Sequence, residues 1–169
     1  MSDRFGDNTP VVKVELKRAD AYELIRHDQV LAASKVVTAL GASLQAVLAK
    51  AVVRRYPDKV VIFQQGEAGS GLLLVLQGDV RLFARKQTDA VELGLVRKGE
   101  VLGEGEVLSG EATRRSSAVA QGPVDLAELP REALLVNGAL PPALQQALKA
   151  IHAARAQALD EMTDFLNRW

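Results

Sequence analysis

The chain has 169 residues, and its 21 basic and 21 acidic side chains leave it with no formal net charge. This balance excludes a general electrostatic attraction to nucleic acid or to an anionic membrane, so any anion-binding site has to be local. The sequence has no cysteine and only two histidines, which excludes disulfides and thiolate metal sites and argues against catalysis or metal binding by histidine.

The first third of the chain is predicted to be an N-terminal arm followed by helices. Residues 1–19 are polar and have no signal-peptide core, although Val11 to Leu16 alternates apolar and polar side chains as a strand does. Over residues 20–55 the apolar side chains recur at helical spacing, and Gly41 marks a break. No apolar run approaches the length of a membrane span, so we expect a cytoplasmic protein.

Residues 56–130 are predicted to form the β-rich part. A turn at Tyr56-Pro57-Asp58 precedes short apolar segments that are separated by glycines and charges, and Gln77-Gly78-Asp79 is predicted to be a tight turn between two of them. Short strands at this spacing favour a small barrel or roll over a parallel sheet, and therefore an α+β fold. The predicted strands are Val60–Phe63, Leu72–Leu76, Val80–Ala84, Val91–Val96, Ser117–Ala120 and Val124–Leu129.

Residues 131–169 are predicted to be helical, with a long helix from about Pro142 to Asn167. Its apolar side chains form one stripe that needs a partner surface, which is either the rest of the same chain or the same helix of a second subunit. Because the stripe is longer than a small barrel covers, we predict a homodimer. The stripe consists of Leu144, Leu148, Ile151, Ala154, Ala158, Met162 and Phe165, widened by Leu159 and Leu166.

A glycine-rich segment between two predicted strands, Lys98 to Gln121, carries the candidate chemistry. Its glycines allow a tight backbone path, and a short helical turn near Glu104 aims free amide groups at an anion. An arginine fork suits a phosphate, hydroxyl groups add donors, and a carboxylate accepts hydrogen bonds from sugar hydroxyls, so the combination indicates a nucleotide. The residues alone also allow an ordinary solvated loop. The candidate ligand-binding residues are Gly103, Glu104, Glu106, Arg114, Arg115, Ser116 and Ser117.

Other motifs do not fit this segment. The third position of a G-x-G-x-x-G pattern falls on Leu108, and no P-loop lysine follows. Glu104 and Glu106 are two residues apart and point in different directions on a helical turn, so they do not form an acid/base pair. No nucleophile or metal cluster can be assembled, and we predict that the chain is not an enzyme and requires no metal or other cofactor.

Residues 56 to about 136 closely resemble the cyclic nucleotide-binding domain family, the effector module of the catabolite activator class, of cyclic-nucleotide-dependent kinase regulatory subunits and of gated channels. Three landmarks carry the resemblance in the correct order: YPDKVVIFQQGEAGSG, LLLVLQGDVRLFA and KGEVLGEGEVLSGEATRRSSAV. The last resembles the phosphate-binding cassette, and we call residues 98–121 the cassette. The resemblance implies an antiparallel, jelly-roll-like β-roll flanked by helices and a cyclic mononucleotide ligand, cyclic AMP or cyclic GMP.

The resemblance also implies roles for single residues. Glu104 matches the glutamate that holds the ribose 2′-hydroxyl, and Arg115 matches the arginine that pairs with the cyclic phosphate, so we expect Arg115→Ala to weaken binding more than Arg114→Ala. Gly103, Glu106 and Ser116 match positions close to the ligand. Two further glycines, Gly66 and Gly78, match glycines that shape barrel turns.

Two departures from the family pattern leave alternatives open. The spacing from Glu104 to Arg115 is slightly longer than usual, so Arg114 is the alternative phosphate ligand and Glu106 the alternative sugar ligand. Glu106 also stands where the family has a small neutral residue near the phosphate, and a carboxylate there opposes a bound anion unless it pairs with the extra arginine.

The end of the chain limits the expected output. In the catabolite activator class a helix-turn-helix domain follows the long helix, whereas this sequence stops at Trp169. We therefore expect no DNA binding and a signal that leaves through contact of the helical termini with an unidentified protein partner. The alternative is a scaffold that has lost its ligand and serves in dimerisation or docking, with its arginines neutralised by Glu104, Glu106 and Glu111.

Overall fold

The computed structural model describes residues 14–16 and 18–167. The strands of this part of the chain are β1 (Val14–Leu16), β2 (Val52–Tyr56), β3 (Val61–Phe63), β4 (Leu72–Lys86), β5 (Asp89–Val96), β6 (Val101–Leu102) and β7 (Ser117–Leu129). The helices are α1 (Arg18–His27), α2 (Gln29–Ala32), α3 (Lys35–Leu40), α4 (Leu44–Leu48), α5 (Glu104–Ser109), α6 (Arg131–Leu134) and α7 (Pro142–Asn167), with a 3₁₀ turn at Gly41–Ser43.

The strands form one antiparallel sheet in the order β1-β2-β7-β4-β5, with β3 paired to β7 and β6 paired to β4. The long strands β4 and β7 lie side by side at its centre. Helices α1 to α4 lie between β1 and β2 in the chain, and α6 and α7 follow β7, so the predicted α+β fold, an antiparallel β-roll flanked by helices, is confirmed.

The two faces of the sheet bury two separate hydrophobic clusters. Side chains alternate along a strand, so Leu72, Leu74 and Leu76 of β4 pack against the helices while Leu73 and Val75 face the interior of the roll. All five are at most 2% exposed. The continuous apolar run LLLVL is thus explained by a strand that is covered on both faces.

The predicted tight turn at Gln77-Gly78-Asp79 is wrong. β4 continues through these residues, and its register against β7 shifts on both sides of Gln77. Gly78 has a φ of 87°, and a Cβ atom there would lie 2.3 Å from the carbonyl oxygen of Pro123 on β7. The glycine therefore permits a bulge at which the two long strands bend together, and not a reversal of the chain. The predicted strands Ser117–Ala120 and Val124–Leu129 likewise form one strand, β7.

The helical prediction for residues 20–55 extends too far. The helices end at Leu48, and β2 begins at Val52 and pairs with β7. Arg55 of this strand donates two hydrogen bonds to the Asp125 carboxylate on β7. Cross-strand pairing of this kind, together with burial of Val53 and Tyr56, stabilises a strand where the apolar spacing alone favours a helix.

Helix α7 packs against α3 and α5 through its N-terminal half, where Leu144 and Leu148 are fully buried and Ile151 is partly buried. Ala154 and Ala158, predicted to belong to the same stripe, are exposed. The side chains of Leu159, Met162, Phe165 and Leu166 lie outside the described residues. Among the helices of the described ranges, none combines the length and apolar composition of a membrane span.

Candidate functional site

The cassette backbone is fixed by two glycines and by pairing with an earlier loop. Gly103 and Gly110, with φ of 86° and 79°, flank the short helix α5 in the left-handed conformation. The Arg114 amide donates to the Glu67 carbonyl oxygen and the Gly66 amide donates to the Arg114 carbonyl oxygen, each at 2.8 Å. This pairing directs the Arg114 side chain towards α5.

A buried ion pair joins Arg114 to Glu106. Arg114 Nη1 lies 3.0 Å from Glu106 Oε2, and the two side chains are only 4% and 5% exposed. The same nitrogen donates to the carbonyl oxygen of Gly71 at 2.8 Å, and the guanidinium lies 4.5 Å from the centre of the Phe63 ring. A Cβ atom at Gly103 would lie 2.6 Å from Arg114 Nη1, so the cassette glycine makes room for this guanidinium.

Glu104 is bound by helix α7. Arg155 donates one hydrogen bond from Nη1 to Glu104 Oε1 and another from Nη2 to the carbonyl oxygen of Val101. The His152 ring nitrogen Nδ1 lies 3.4 Å from Glu104 Oε2, and the Gly105 amide donates to the same oxygen at 3.0 Å. The Glu104 side chain is 8% exposed. The carboxylate expected to hold a ribose is therefore also a docking point of α7.

Arg115 lies at the surface. It donates to Glu111 from Nη2 at 2.7 Å and from Nε at 3.4 Å, and its side chain is 43% exposed. Hydrogen bonding to Glu111 raises the pKa of the Arg115 guanidinium, and the charges of Glu106 and Glu104 add smaller contributions. The same hydrogen bond lowers the pKa of the Glu111 carboxyl below its usual value. Arg115 thus lies within the electrostatic reach of the site but remains open to solvent.

The two serines lie beyond the ion pairs. Ser116 is half-buried just before β7, and the Ser117 hydroxyl accepts a hydrogen bond of 2.9 Å from the Gln65 amide. Ser117 also lines a groove of about 830 Å³ on the sheet, together with Phe83 and Arg85. The structure therefore brings five of the predicted residues together around α5, whereas Ser117 lies at the groove. The five residues are Gly103, Glu104, Glu106, Arg114 and Arg115.

Sequence reasoning missed the α7 residues at the site. His152 and Arg155 are three residues apart, so they lie on one face of the helix, beside the predicted apolar stripe. A basic pair next to an apolar stripe is the available signal, but a solvated helix face gives the same pattern. Within the described residues, no three histidine, cysteine, aspartate or glutamate side chains cluster as metal ligands would.

Comparison with known proteins identifies the family. Residues 53–136 match the family model of the cyclic nucleotide-binding domain. The chain belongs to the cyclic nucleotide-binding domain family. The match spans the sheet from β2 to β7, the cassette and α6, and it agrees with the resemblance drawn from the three sequence landmarks.

Members of the family similar to this chain include a cyclic AMP receptor protein of Thermus thermophilus, which is 38% identical over 116 residues covering 68% of this chain and 53% of that protein. The crystal structure of the Thermus thermophilus catabolite activator protein is 31% identical, with a TM-score of 0.61, and the match covers 79% of this chain and 63% of that one. The c-di-GMP-responsive regulator CLP of Xanthomonas campestris is 28% identical, with a TM-score of 0.58 and coverage of 75% and 62%. The chain thus spans about half the length of the curated relative.

Proposed function

We propose that this chain is a regulatory module that binds a cyclic mononucleotide at the cassette and passes the occupancy of the site to helix α7. The observation that carries the proposal is the buried Glu104 carboxylate, which is held by Arg155 and His152 of α7. A sugar hydroxyl that donates to Glu104 shares this carboxylate with α7. Ligand binding therefore changes the free energy with which α7 docks on the cassette.

We propose cyclic AMP as the first candidate ligand, since the curated relative reported above is named a cyclic AMP receptor protein. Cyclic GMP is the second candidate. The regulator CLP is named for its response to c-di-GMP, so a cyclic dinucleotide is a necessary comparison in the experiment.

For the phosphate we propose Arg114, and this reverses the expectation from sequence that Arg115 takes that role. The Arg114 guanidinium is buried against Gly103, where an ion pair is weakly screened by water. Arg115 is bound to Glu111 in solvent, where a pair of charges is worth little. Arg115 then adds positive electrostatic potential at the solvent-exposed edge of the cassette, and Ser116 beside it is available as a further hydrogen-bond donor.

Isothermal titration calorimetry with cyclic AMP, cyclic GMP and c-di-GMP tests the binding step. We expect a cyclic mononucleotide to bind, Arg114→Gln to weaken binding at least tenfold, and Arg115→Gln to weaken it only a few-fold. Arg26→Gln is the control, because Arg26 forms an exposed pair with Glu23 on α1 and does not line the groove. The absence of heat at millimolar ligand with folded wild-type protein would refute the binding proposal.

The movement of α7 is tested by spin labels at two exposed positions, Thr113→Cys within the cassette and Ala158→Cys on α7. The chain has no other cysteine, so both labels attach only at these sites. We expect the distance distribution between them to shift when the ligand that binds in calorimetry is added. An unchanged distribution at saturating ligand would contradict transmission through α7.

We also propose that the module acts as a homodimer or through a protein partner that contacts its helical termini. The exposed Ala154 and Ala158 leave part of the α7 stripe open to a second surface. Light scattering tests the dimer: twice the monomer mass of 18.2 kDa is expected for wild type, and Ala158→Glu is expected to lower it. A monomeric wild type at micromolar concentration excludes the dimer.

The second candidate function is a ligand-free scaffold for dimerisation or docking. One observation favours it: every carboxylate of the cassette that sequence reasoning named is paired, Glu104 with α7, Glu106 with Arg114 and Glu111 with Arg115. This network neutralises the site without a ligand. Nucleotide binding that is lost in Arg114→Gln would rule the scaffold out.

A further inference from the structure

The Glu106 carboxylate already occupies the anion partner position of Arg114. Its Oε2 atom lies 3.0 Å from Arg114 Nη1. The other carboxylate near this guanidinium is Glu128, whose Oε2 lies 4.0 Å from Nη2 and which also pairs with Arg54. Among the described carboxylates, Glu106 is thus the one in hydrogen-bond contact with the buried arginine.

Glu106 cannot easily turn away from Arg114. The residue is 3% exposed, and it lies on α5 beside the fully buried Val107. The Val107 carbonyl oxygen also accepts a hydrogen bond from Arg131, which ties this helix to α6. A carboxylate fixed in this way competes as an intramolecular partner, with a high effective concentration that a free ligand has to exceed.

We propose that Glu106 is a built-in competitor for the ligand phosphate, which sets the concentration of cyclic nucleotide at which the module responds. The inference rests on the proposed function, because it takes Arg114 as the phosphate ligand. A phosphate that approaches Arg114 meets the negative charge of Glu106 at contact distance, and it has to displace that carboxylate or share the guanidinium with it. The chain therefore binds its nucleotide more weakly than the same site would with a neutral side chain at residue 106.

The test is the affinity of Glu106→Gln for cyclic AMP by calorimetry. Glutamine keeps the volume and loses the charge, so we expect affinity to rise at least tenfold over wild type. Glu111→Gln is the matched control: it makes the same change in the same cassette but removes only the surface partner of Arg115, and we expect affinity to change less than threefold. Adenosine, which has no phosphate, is expected to bind the wild type and Glu106→Gln equally.

Loss of a buried partner destabilises the fold, so a second measurement accompanies the titration. The urea midpoint of each variant is measured with and without cyclic AMP, and we expect a larger increase for Glu106→Gln than for wild type, even if this variant is partly unfolded alone. A ligand-induced increase equal to or smaller than that of wild type would overturn the proposal.

The outcomes separate this inference from the proposed function. If wild type binds the nucleotide and Glu106→Gln binds it no more tightly, the proposal that Glu106 competes with the phosphate is refuted, whereas the proposed regulatory function is retained. If neither folded protein binds, the proposed function fails and the competitor fails with it. If only Glu106→Gln binds, the competitor is supported and the wild-type chain is a scaffold. An equal gain for adenosine also refutes the competitor, because the effect then does not involve the phosphate.

Discussion

Replacing Arg155 by glutamine removes the guanidinium that helix α7 brings to Glu104. The side chain of Glu104 is 8% exposed, so the variant leaves a nearly buried carboxylate without its cationic partner. Breaking a fully buried pair costs about 3–5 kcal/mol, but Arg155 is itself 18% exposed and Glu104 keeps the Gly105 amide. We therefore expect the free energy of unfolding to fall by about 2–3 kcal/mol.

Urea unfolding followed by circular dichroism measures this loss. The control is Arg81→Gln, since Arg81 and Glu92 form a pair in which both side chains are more than 40% exposed. An exposed pair contributes about 0–1 kcal/mol, so the control is expected to change little. Because Glu104→Gln removes the charge that needs compensation, the double variant Arg155→Gln, Glu104→Gln should lose less than the sum of the single variants.

If Arg155→Gln is no more destabilising than Arg81→Gln, Glu104 does not depend on Arg155 for its counter-charge. Additive losses in the double variant would lead to the same conclusion. Either result leaves His152 as the remaining α7 contact of Glu104 and removes Arg155 from the proposed communication between the cassette and α7.

Three further predictions concern the fold around the site. Gly78→Ala should lower the free energy of unfolding in urea by about 2–4 kcal/mol, because the residue has a left-handed φ and the new Cβ would clash with Pro123. Gly122→Ala should cost only about 1–2 kcal/mol, because Gly122 also has a left-handed φ, of 76°, but no atom lies within 4 Å of a new Cβ. Equal costs for the two variants would contradict the clash. Leu74→Ala should cost about 2–5 kcal/mol because Leu74 is fully buried, while Leu95→Ala, at a side chain 38% exposed, should cost less than about 1 kcal/mol, and a reversed order would place the core elsewhere. Hydrogen bonding to Lys98, and then to the Leu31 amide, lowers the pKa of the Asp28 carboxyl in the folded protein. The ionised Asp28 therefore stabilises the fold at pH values above its ordinary pKa of 3.8, and this stabilisation is lost as the pH falls through the lower pKa of the folded state. NMR titration should find that Lys98→Met raises the Asp28 pKa towards 3.8, and an unchanged pKa would exclude the Lys98 contact.

The fold could be predicted largely from the sequence because its signals are local. The run from Leu72 to Leu76 and the segment from Val91 to Val96 are apolar over strand lengths, and Pro142 opens a long helix. Gly78 was predicted to be a turn because the same composition suits a turn and a bulge. Only the opposing Pro123 on β7 distinguishes the two, and that contact joins residues far apart in the chain.

That the candidate residues lie close together could be predicted from the sequence, but their pairing could not. The glycines and charges of the cassette mark the segment, yet they do not determine which of two adjacent arginines is buried. That choice follows from the hydrogen bonds between Arg114 and the loop at Gly66 and Glu67. Glu104 and Arg155 are 51 residues apart, and a single sequence contains no signal that pairs them.

The contact of Arg155 with Glu104 divides α7 into two arms, one on each side of this residue. Its N-terminal arm is anchored by Leu144 and Leu148, and its far arm runs from Arg155 to Asn167, about 18 Å at about 1.5 Å per residue. A tilt of about 15° at Arg155 would move the far end sideways by about 5 Å, roughly half of the about 8–10 Å that separates the axes of two packed helices. Under the proposed function, the loss of a single hydrogen bond at Glu104 would therefore change the packing of any surface that lies against the far arm.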